Sequence, residues 1–507
     1  MTQTLGWVGA WTSRPSAYAV AAESTADVVA AVDFARENNL RLVVKGGGHS
    51  YQGTSSSPDS LLIWTRRMRA VTLHDSFVPM GCSVAPQPAV TVGAGAIWGQ
   101  VYDAVTTGGG RYVQGGGCMT VGVAGLIQSG GFGSFSKAYG MAAASLLEAE
   151  VVTADGSVRI ANACSEPELF WGLKGGGGSS LGVVTRLTLR THALPDVFGA
   201  VQIRVRAMSD PAFQRLVGRL VAFYAEALLN PHWGEQIAFE PGGLVGVFMV
   251  FQGLDQEAAE AIWRPFVDWM AAAPDDFAFE QPLVVLAAPA RQFFDPAFLK
   301  ALPGLVLADD RPGAPAANIF WASNRGEAGQ VLHAYQSVWL PAALLAPDKQ
   351  ERLVDALVAA AGHYRVSLHC NKGLAGASPE AIAAARDAAT NPAMLDAFAL
   401  AIAGAEGPPA YPGVTGHEPH PAAAHADASV VGSAMDALHA LVPNAGSYLS
   451  ESDFFDARWR ESFWGPNYAR LLAVKRAYDP DGLFFVHHGV GSEDWSADGF
   501  TRVTGAP

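Results

Sequence analysis

The sequence predicts an α+β fold in two domains, and three observations support that prediction. At 507 residues the chain is too long to fold around a single hydrophobic core. Residues 17–190 alternate between the apolar periodicities of helices and of strands. After Pro195 the composition changes to one rich in Ala, Pro, Trp and Phe. The predicted units are residues 1–195, residues 196–449, and residues 450–507, of which the last rejoins the first.

The first unit begins with a helix, because Ser24 is a good N-cap residue in front of an amphipathic run. Asp155-Gly156 is a tight-turn signal between two apolar runs, which predicts a hairpin there. The elements predicted for this unit are a helix from Ser24 through Phe34, strands over 40–44 and 89–93, a helix over 97–105, and a hairpin of 148–153 with 158–160.

The later units continue the alternation. Their predicted elements are helices over 210–228, 348–362 and 468–478 and strands over 244–251 and 366–370. The apolar residues 483–486 predict a strand that returns to a core. Adjacent side chains on a strand face opposite ways, so at most one of His487 and His488 is expected to face a ligand.

The composition excludes several classes of protein. Half of the residues are hydrophobic and 16% are charged, as in a compact globular enzyme. The net charge of −14, with residues 66–69 as the only basic run, argues against nucleic-acid binding. No apolar stretch reaches the roughly 18 residues of a membrane span, and residues 1–4 lack a secretory signal. We therefore expect a cytoplasmic protein, or a secreted one if a leader has been trimmed.

The cysteines and histidines show no metal-binding spacing. Cys82, Cys118, Cys164 and Cys370 are widely scattered and include no Cys-x-x-Cys pair. This pattern indicates neither a zinc site nor a disulfide framework. We expect no metal.

Two glycine loops carry the candidate chemistry. Gly46–Gly48 precede His49, and Gly115–Gly117 precede Cys118. Runs of glycine permit positive φ and let the main chain approach a ligand, and their N–H groups can bind a pyrophosphate. A cysteine in such a loop is placed to act as a nucleophile. The histidine loop alone is equally consistent with a flexible surface turn, but the two loops together form a specific pattern.

These loops and several later stretches resemble the motifs of berberine-bridge-enzyme-like proteins, in the vanillyl-alcohol-oxidase superfamily. The stretches 45–50 and 115–122 are similar to the family's paired flavin-attachment motifs. Four others are similar to its later FAD loops and its C-terminal motif: 125–140, 173–185, 467–471 and 475–485. The stretches 447–451 and 488–493 are most similar to the isoamyl-alcohol-oxidase-like branch.

The resemblance implies a PCMH-type FAD-binding fold with an inserted substrate domain, whose antiparallel sheet, flanked by helices, covers the flavin ring. It also implies covalent FAD, with His49 bonded to the flavin 8α methyl and Cys118 to ring carbon 6. Attachment at two points fixes the ring and withdraws electron density from it, so more demanding hydride donors can be oxidised. The other residues that it assigns to the cofactor are Gly46, Gly47, Gly48, Ser50, Gly117, Thr120, Val121, Gly122, Gly125, Gly131, Val183 and Asn467.

The resemblance also points to residues on the substrate side. Tyr448 lies in the family's C-terminal motif, where a second tyrosine usually follows three positions later, but this chain has Glu451 there. Either residue can therefore be the catalytic base, because a carboxylate needs no lowering of its pKa to act. Tyr139 is placed as a hydrogen-bond partner of the substrate. His369 and Asn371 occupy positions that line the pocket in the family.

The implied activity is hydride transfer from an alcohol carbon to flavin N5, with O2 as the electron acceptor and hydrogen peroxide as product. Val121 supports O2, since the resemblance implies that valine three residues after the attachment cysteine is typical of oxidases. The aromatic middle unit favours a hydrophobic or natural-product alcohol. Two alternatives remain open: an oxidative cyclase or desaturase of a secondary metabolite, and a flavin-binding protein without turnover.

Overall fold

The computed structural model describes residues 4–411 and 413–503 and confirms the α+β prediction. The strands are β1 (Gly6–Trp7), β2 (Trp11–Thr12), β3 (Tyr18–Ala21), β4 (Leu42–Lys45), β5 (Leu61–Trp64), β6 (Val71–Phe77), β7 (Gln87–Gly93), β8 (Arg111–Tyr112), β9 (Leu146–Val152), β10 (Val158–Asn162), β11 (Val183–Arg190), β12 (His192–Ala193), β13 (Val197–Ala207), β14 (Trp233–Glu240), β15 (Leu244–Gln252), β16 (Phe277–Pro289), β17 (Val306–Ala308), β18 (Ile319–Trp321), β19 (Val331–Pro341), β20 (Val366–His369) and β21 (Ala397–Gly407).

The helices vary from single turns to five turns in length. They are α1 (Thr25–Glu37), α2 (Trp98–Tyr102), α3 (Val123–Gln128), α4 (Ser136–Tyr139), α5 (Pro167–Leu173), α6 (Asp210–Phe223), α7 (Gln256–Ala271), α8 (Pro296–Lys300), α9 (Gln350–His363), α10 (Pro379–Arg386), α11 (Ala393–Asp396), α12 (Pro421–Leu441), α13 (Trp459–Phe463) and α14 (Tyr468–Tyr478). None in the described part of the chain is long and apolar enough to cross a membrane.

The first unit contains two main sheets. One is parallel, with strand order β3-β5-β4, and the other is antiparallel, with order β10-β9-β11-β7-β6. Helix α1 packs Val28 and Val32 against Val152 and Val183 of the antiparallel sheet. Ser24 caps this helix and exchanges hydrogen bonds with Asp27, which fixes where the helix begins.

The second unit is built on one nine-stranded sheet, in the order β16-β13-β15-β14-β20-β21-β19-β1-β2. Helices α6, α7, α9 and α12 cover one face of it and bury a large apolar core. Strands β1 and β2 extend this sheet because β1 runs parallel to β19, with Gly6 opposite Val331. Residues 6–12 thus pair with the second unit, which differs from their predicted place in the first.

Residues 483–486 do not form the strand that the sequence predicts. Their backbone is bound by side chains instead: the N–H groups of Leu483 and Phe484 donate to the Asp479 carboxylate at 2.8 and 2.9 Å. Lys475 donates in turn to Asp479 Oδ2 at 2.6 Å and to the carbonyls of Ser180 and Phe484 at 2.7 and 2.6 Å. This buried ion pair connects the C-terminal segment to the first unit.

The expectation that the cysteines form no disulfide is wrong. Cys82 and Cys164 are bonded, with Cα atoms 5.5 Å apart, although 82 residues separate them in sequence. The loop after β6 folds back onto the end of β10, where Asn162 Nδ2 donates to the Met80 carbonyl at 3.0 Å. Sequence spacing carries no trace of this contact, because tertiary folding alone brings the two loops together.

The buried ion pair gives a stability prediction. Lys475→Met leaves the Asp479 carboxylate buried without its cation, so we expect the free energy of unfolding to fall by about 3–5 kcal/mol. Arg476→Met changes the exposed neighbour and is the control, with an expected change of about 0.5 kcal/mol or less. Denaturant unfolding measures both. Equal losses in the two variants would contradict this role of Lys475.

Candidate active site

The two glycine loops lie backbone against backbone. A Cβ on Gly47 would lie 2.5 Å from the Gly122 nitrogen, and one on Gly122 would lie 2.7 Å from the Gly47 nitrogen. Both distances are shorter than any real Cβ contact, so each loop requires glycine at this crossing. Gly48 then takes φ of 77°. The crossing brings His49 and Cys118, 69 positions apart in sequence, into one site.

The two candidate attachment side chains converge with a third group. A ring nitrogen of His49, the Sγ of Cys118 and a carboxylate oxygen of Glu327 all lie within 4.8 Å of one another. Thr120 Oγ1 lies 3.0 Å from His49 Nε2 and 3.6 Å from Cys118 Sγ. Among the described residues, these three side chains form the group whose donor atoms are placed to hold a metal ion. Two of the three are the predicted flavin attachment residues.

Burial sets the protonation of these side chains. It lowers the pKa of His49 to about 4, so the imidazole is neutral at physiological pH. Burial also raises the pKa of the Cys118 thiol, which therefore stays protonated. A neutral imidazole is already a nucleophile, whereas the cysteine must first lose a proton.

A cavity of about 1350 Å³ extends from this point between the two units. In the described part of the chain, five buried polar atoms on residues that line it have no hydrogen-bond partner: Gln52 Oε1, Gln128 Oε1, Ser180 Oγ, Asn371 Oδ1 and His488 Nδ1. Unpaired buried polar atoms are costly, so they indicate a polar ligand. Gly177, Ser179 and Gly182, with φ of 94°, 63° and 153°, expose their main chain there. The cavity suits a long dinucleotide such as FAD.

Most of the predicted site residues line this cavity. They are Gly46, Gly47, Gly48, His49, Ser50, Gly117, Cys118, Val121, Gly122, Gly125, His369, Asn371, Tyr448 and Glu451. Thr120 and Gly131 lie directly behind its wall, since Thr120 contacts both attachment residues and the Gly131 N–H is hydrogen-bonded to the Tyr448 hydroxyl.

Three predicted site residues lie elsewhere. Tyr139 ends α4 and packs against Tyr112 and His192, with ring centres 4.6 and 4.7 Å away, outside the cavity lining. The Asn467 amide holds the loop at Thr390 by donating to its carbonyl at 2.9 Å. Val183 is buried in the core of the first unit. Each of the three lies in a motif predicted to be at the site, but its own side chain contacts other parts of the protein.

The two candidate bases differ in environment. Tyr448 is buried edge-on against Phe132, 5.3 Å between ring centres, and burial raises its pKa well above the ordinary value of a phenol. Glu451 forms an ion pair with Lys372, which lies three residues after β20. The phenol is therefore protonated, and the ammonium group of Lys372 holds the Glu451 carboxylate in place.

Sequence reasoning missed several charged groups in the cavity. Lys372 and Glu327 gave no motif signal. Glu235 on β14 has φ of 74°, rare for a residue other than glycine, and its carboxylate accepts a hydrogen bond from Ser134. Burial raises the pKa of Glu235. Its one sequence signal is a Glu-Gln pair inside an otherwise apolar strand.

His487 and His488 both line the cavity, contrary to the expectation that at most one would. Their rings are stacked 3.8 Å apart, because His488 takes φ of 50° and the segment is not a strand. Phe454 and Trp459 stack on the two rings from the other sides, at 3.7 and 5.2 Å.

A fold and cavity of this kind define a flavoprotein, and the comparisons with known proteins agree. Residues 16–162 match the family model described as FAD binding domain, and residues 447–491 match that described as berberine and berberine like. The FAD-linked oxidoreductase malF of Malbranchea aurantiaca is 33% identical over 500 residues, covering 95% of this chain and 76% of the relative.

Solved structures agree as well. The VAO-type flavoprotein MtVAO615 from Myceliophthora thermophila C1 has a TM-score of 0.76 at 26% identity, covering 96% of this chain and 82% of that one. A glucooligosaccharide oxidase from Acremonium strictum, with 6-S-cysteinyl, 8α-N1-histidyl FAD, shares the fold with a TM-score of 0.70 at 19% identity, covering 94% and 92%. The chain belongs to the berberine-bridge-enzyme-like FAD-linked oxidoreductases, and it is an FAD-binding oxidase of the vanillyl-alcohol-oxidase superfamily.

The loop crossing gives the second prediction. Gly47→Ala forces a methyl group into the backbone of Gly122, so the loops must separate and we expect the fraction of protein that retains flavin to fall several-fold. Gly362→Ala, on α9 with no atom within 4 Å of the added Cβ, is the control and keeps the wild-type fraction. The ratio of flavin absorbance to protein absorbance after gel filtration measures this. Full retention in Gly47→Ala would show that the crossing tolerates displacement.

Proposed function

We propose that this oxidase carries FAD covalently through both His49 and Cys118 and oxidises a hydrophobic alcohol, with O2 as acceptor. The observation that carries the proposal is the convergence of the His49 ring and the Cys118 Sγ within 4.8 Å in one cavity. The neutral imidazole is competent to bond, and both loops have the family's attachment motifs. The two covalent links to FAD in the glucooligosaccharide oxidase, one to a cysteine and one to a histidine, support it.

The side chains that line the cavity support a hydrophobic substrate. Side chains on one face of the nine-stranded sheet line it, and they change from apolar on β15 and β16 to polar on β14 and β20. Phe248 and Leu286 on the apolar side are 47% and 65% exposed, and Gln236 and His369 lie on the polar side. Exposed apolar side chains facing a cavity favour a ligand with an apolar body and one hydroxyl group.

The residues around the hydroxyl group divide its proton chemistry. When bound, FAD supplies the acceptor for a hydride from the alcohol carbon and passes the two electrons to O2. Glu451, paired with Lys372, accepts the hydroxyl proton as the C=O bond forms. Tyr448 stays protonated and orients the substrate oxygen by donating a hydrogen bond. Val121 lines the cavity three residues after Cys118, where a small side chain leaves space for O2.

The disulfide also bears on where the enzyme works. The Cys82–Cys164 bond favours an oxidising compartment over the predicted cytoplasmic location, because cytosolic thiols are kept reduced.

Acid denaturation tests the covalent attachment. We expect flavin to stay with the wild-type polypeptide and with each of His49→Ala and Cys118→Ala, since one bond suffices, and to be released from the double variant. Flavin absorbance of the precipitate and the mass of flavin-bearing peptides measure this. Complete release from the wild type would refute covalent attachment, and release from one single variant would reduce it to one bond.

Steady-state kinetics test the roles of the two bases. With a panel of hydrophobic primary and secondary alcohols, read out by peroxide, Glu451→Gln should lower kcat by about 10²–10⁴-fold, as for loss of a general base. Tyr448→Phe should lower it about tenfold, as for loss of one hydrogen bond. Glu461→Gln, an exposed acid on α13, is the control and keeps the wild-type value. A larger effect in Tyr448→Phe than in Glu451→Gln would reverse the assignment.

A further inference from the structure

A short turn places the Glu327 carboxylate beside the attachment residues. The turn Ala322–Glu327 follows β18, and it is anchored where Trp321 Nε1 donates to the Gly117 carbonyl at 2.8 Å. Asn324 Nδ2 donates to the Glu327 carboxylate and orients it. One carboxylate oxygen then lies within 4.8 Å of both the Cys118 Sγ and a His49 ring nitrogen. No motif of the sequence includes this residue.

The two proposed attachment side chains differ in whether they require a base to form a bond. His49 is a neutral imidazole, which is itself a nucleophile and can form a bond without a base. Cys118 is held as a thiol by its burial, and a thiol is a far weaker nucleophile than a thiolate. A base must therefore take the thiol proton. The Thr120 hydroxyl also contacts Cys118, but a hydroxyl is too weak a base for this proton.

We propose that Glu327 accepts the thiol proton of Cys118 while the flavin is being attached, and so acts in cofactor attachment. The proposal rests on the bicovalent attachment proposed above. In this step the Sγ–H bond breaks and its proton passes to Glu327, while an Sγ–C bond forms to the flavin ring. The ring C–H proton is released to water, and the two electrons pass through the flavin to O2, which becomes hydrogen peroxide.

The surroundings of Glu327 suit this role. Burial raises the pKa of Glu327, which makes its carboxylate a stronger base than an exposed one. Its basicity is therefore closer to that of a thiolate. The titratable groups that face it are His49, Tyr51, Cys118, Tyr335 and Glu406. Burial also raises the pKa of Glu406, which is one of these groups. Glu406 therefore offers a matched control, because it carries the same charge in the same cavity.

The experiment follows the formation of each bond separately. Full-length protein purified with incomplete attachment is saturated with FAD and quenched in acid at intervals. Free thiols are alkylated with iodoacetamide, and the digested peptides are weighed. In Glu327→Gln we expect the Cys118 bond to form about a hundredfold more slowly than in the wild type. The His49 bond should form at the wild-type rate, and the gap at Cys118 should narrow as rising pH ionises the thiol.

Three further variants make the result specific. Glu327→Asp keeps the base at a longer distance and should show an intermediate rate, which also serves if the glutamine variant folds poorly. Glu406→Gln should attach Cys118 at the wild-type rate. A wild-type Cys118 rate in Glu327→Gln, or a slow rate in Glu235→Gln alone, would overturn the role of Glu327. Absence of a Cys118 bond in the wild type would instead refute the bicovalent attachment itself.

Discussion

The contact between the two glycine loops is the constraint on which the site depends. Gly47 and Gly122 approach so closely that neither position has room for a Cβ, and the contact fixes two distant parts of the chain in one place. His49 lies two residues after Gly47, and Cys118 lies four residues before Gly122. Their convergence follows from that backbone contact and needs no long-range attraction between the side chains.

Burial then sets the protonation state of the groups in the site. The same loss of water makes His49 neutral, keeps Cys118 protonated and keeps the Tyr448 phenol from ionising. The Glu451 carboxylate forms an ion pair with Lys372 in this environment. The cavity therefore contains an ion-paired carboxylate, a protonated phenol and a neutral imidazole within a single water-poor space. Each of these states depends on the position of the group in the fold.

The reach of sequence reasoning differs from element to element. The helix after Ser24 and the hairpin of β9 and β10 were predictable, because capping, turn and periodicity signals are local. The strand expected over residues 483–486 is absent, since Asp479 binds its backbone in place of a neighbouring strand. The Cys82–Cys164 disulfide and the pairing of β1 with β19 were not predictable, because both join segments that are distant in sequence.

For the site, the sequence by itself determined the cofactor loops, since glycine runs before His49 and Cys118 are required by the backbone and leave a local pattern. The tertiary structure alone decided which other side chains reach the cavity. It moved Tyr139 into packing against Tyr112 and brought Glu327 beside His49 and Cys118. The reason is physical: a side chain's direction and its neighbours depend on contacts across the chain, which a local pattern of residues does not record.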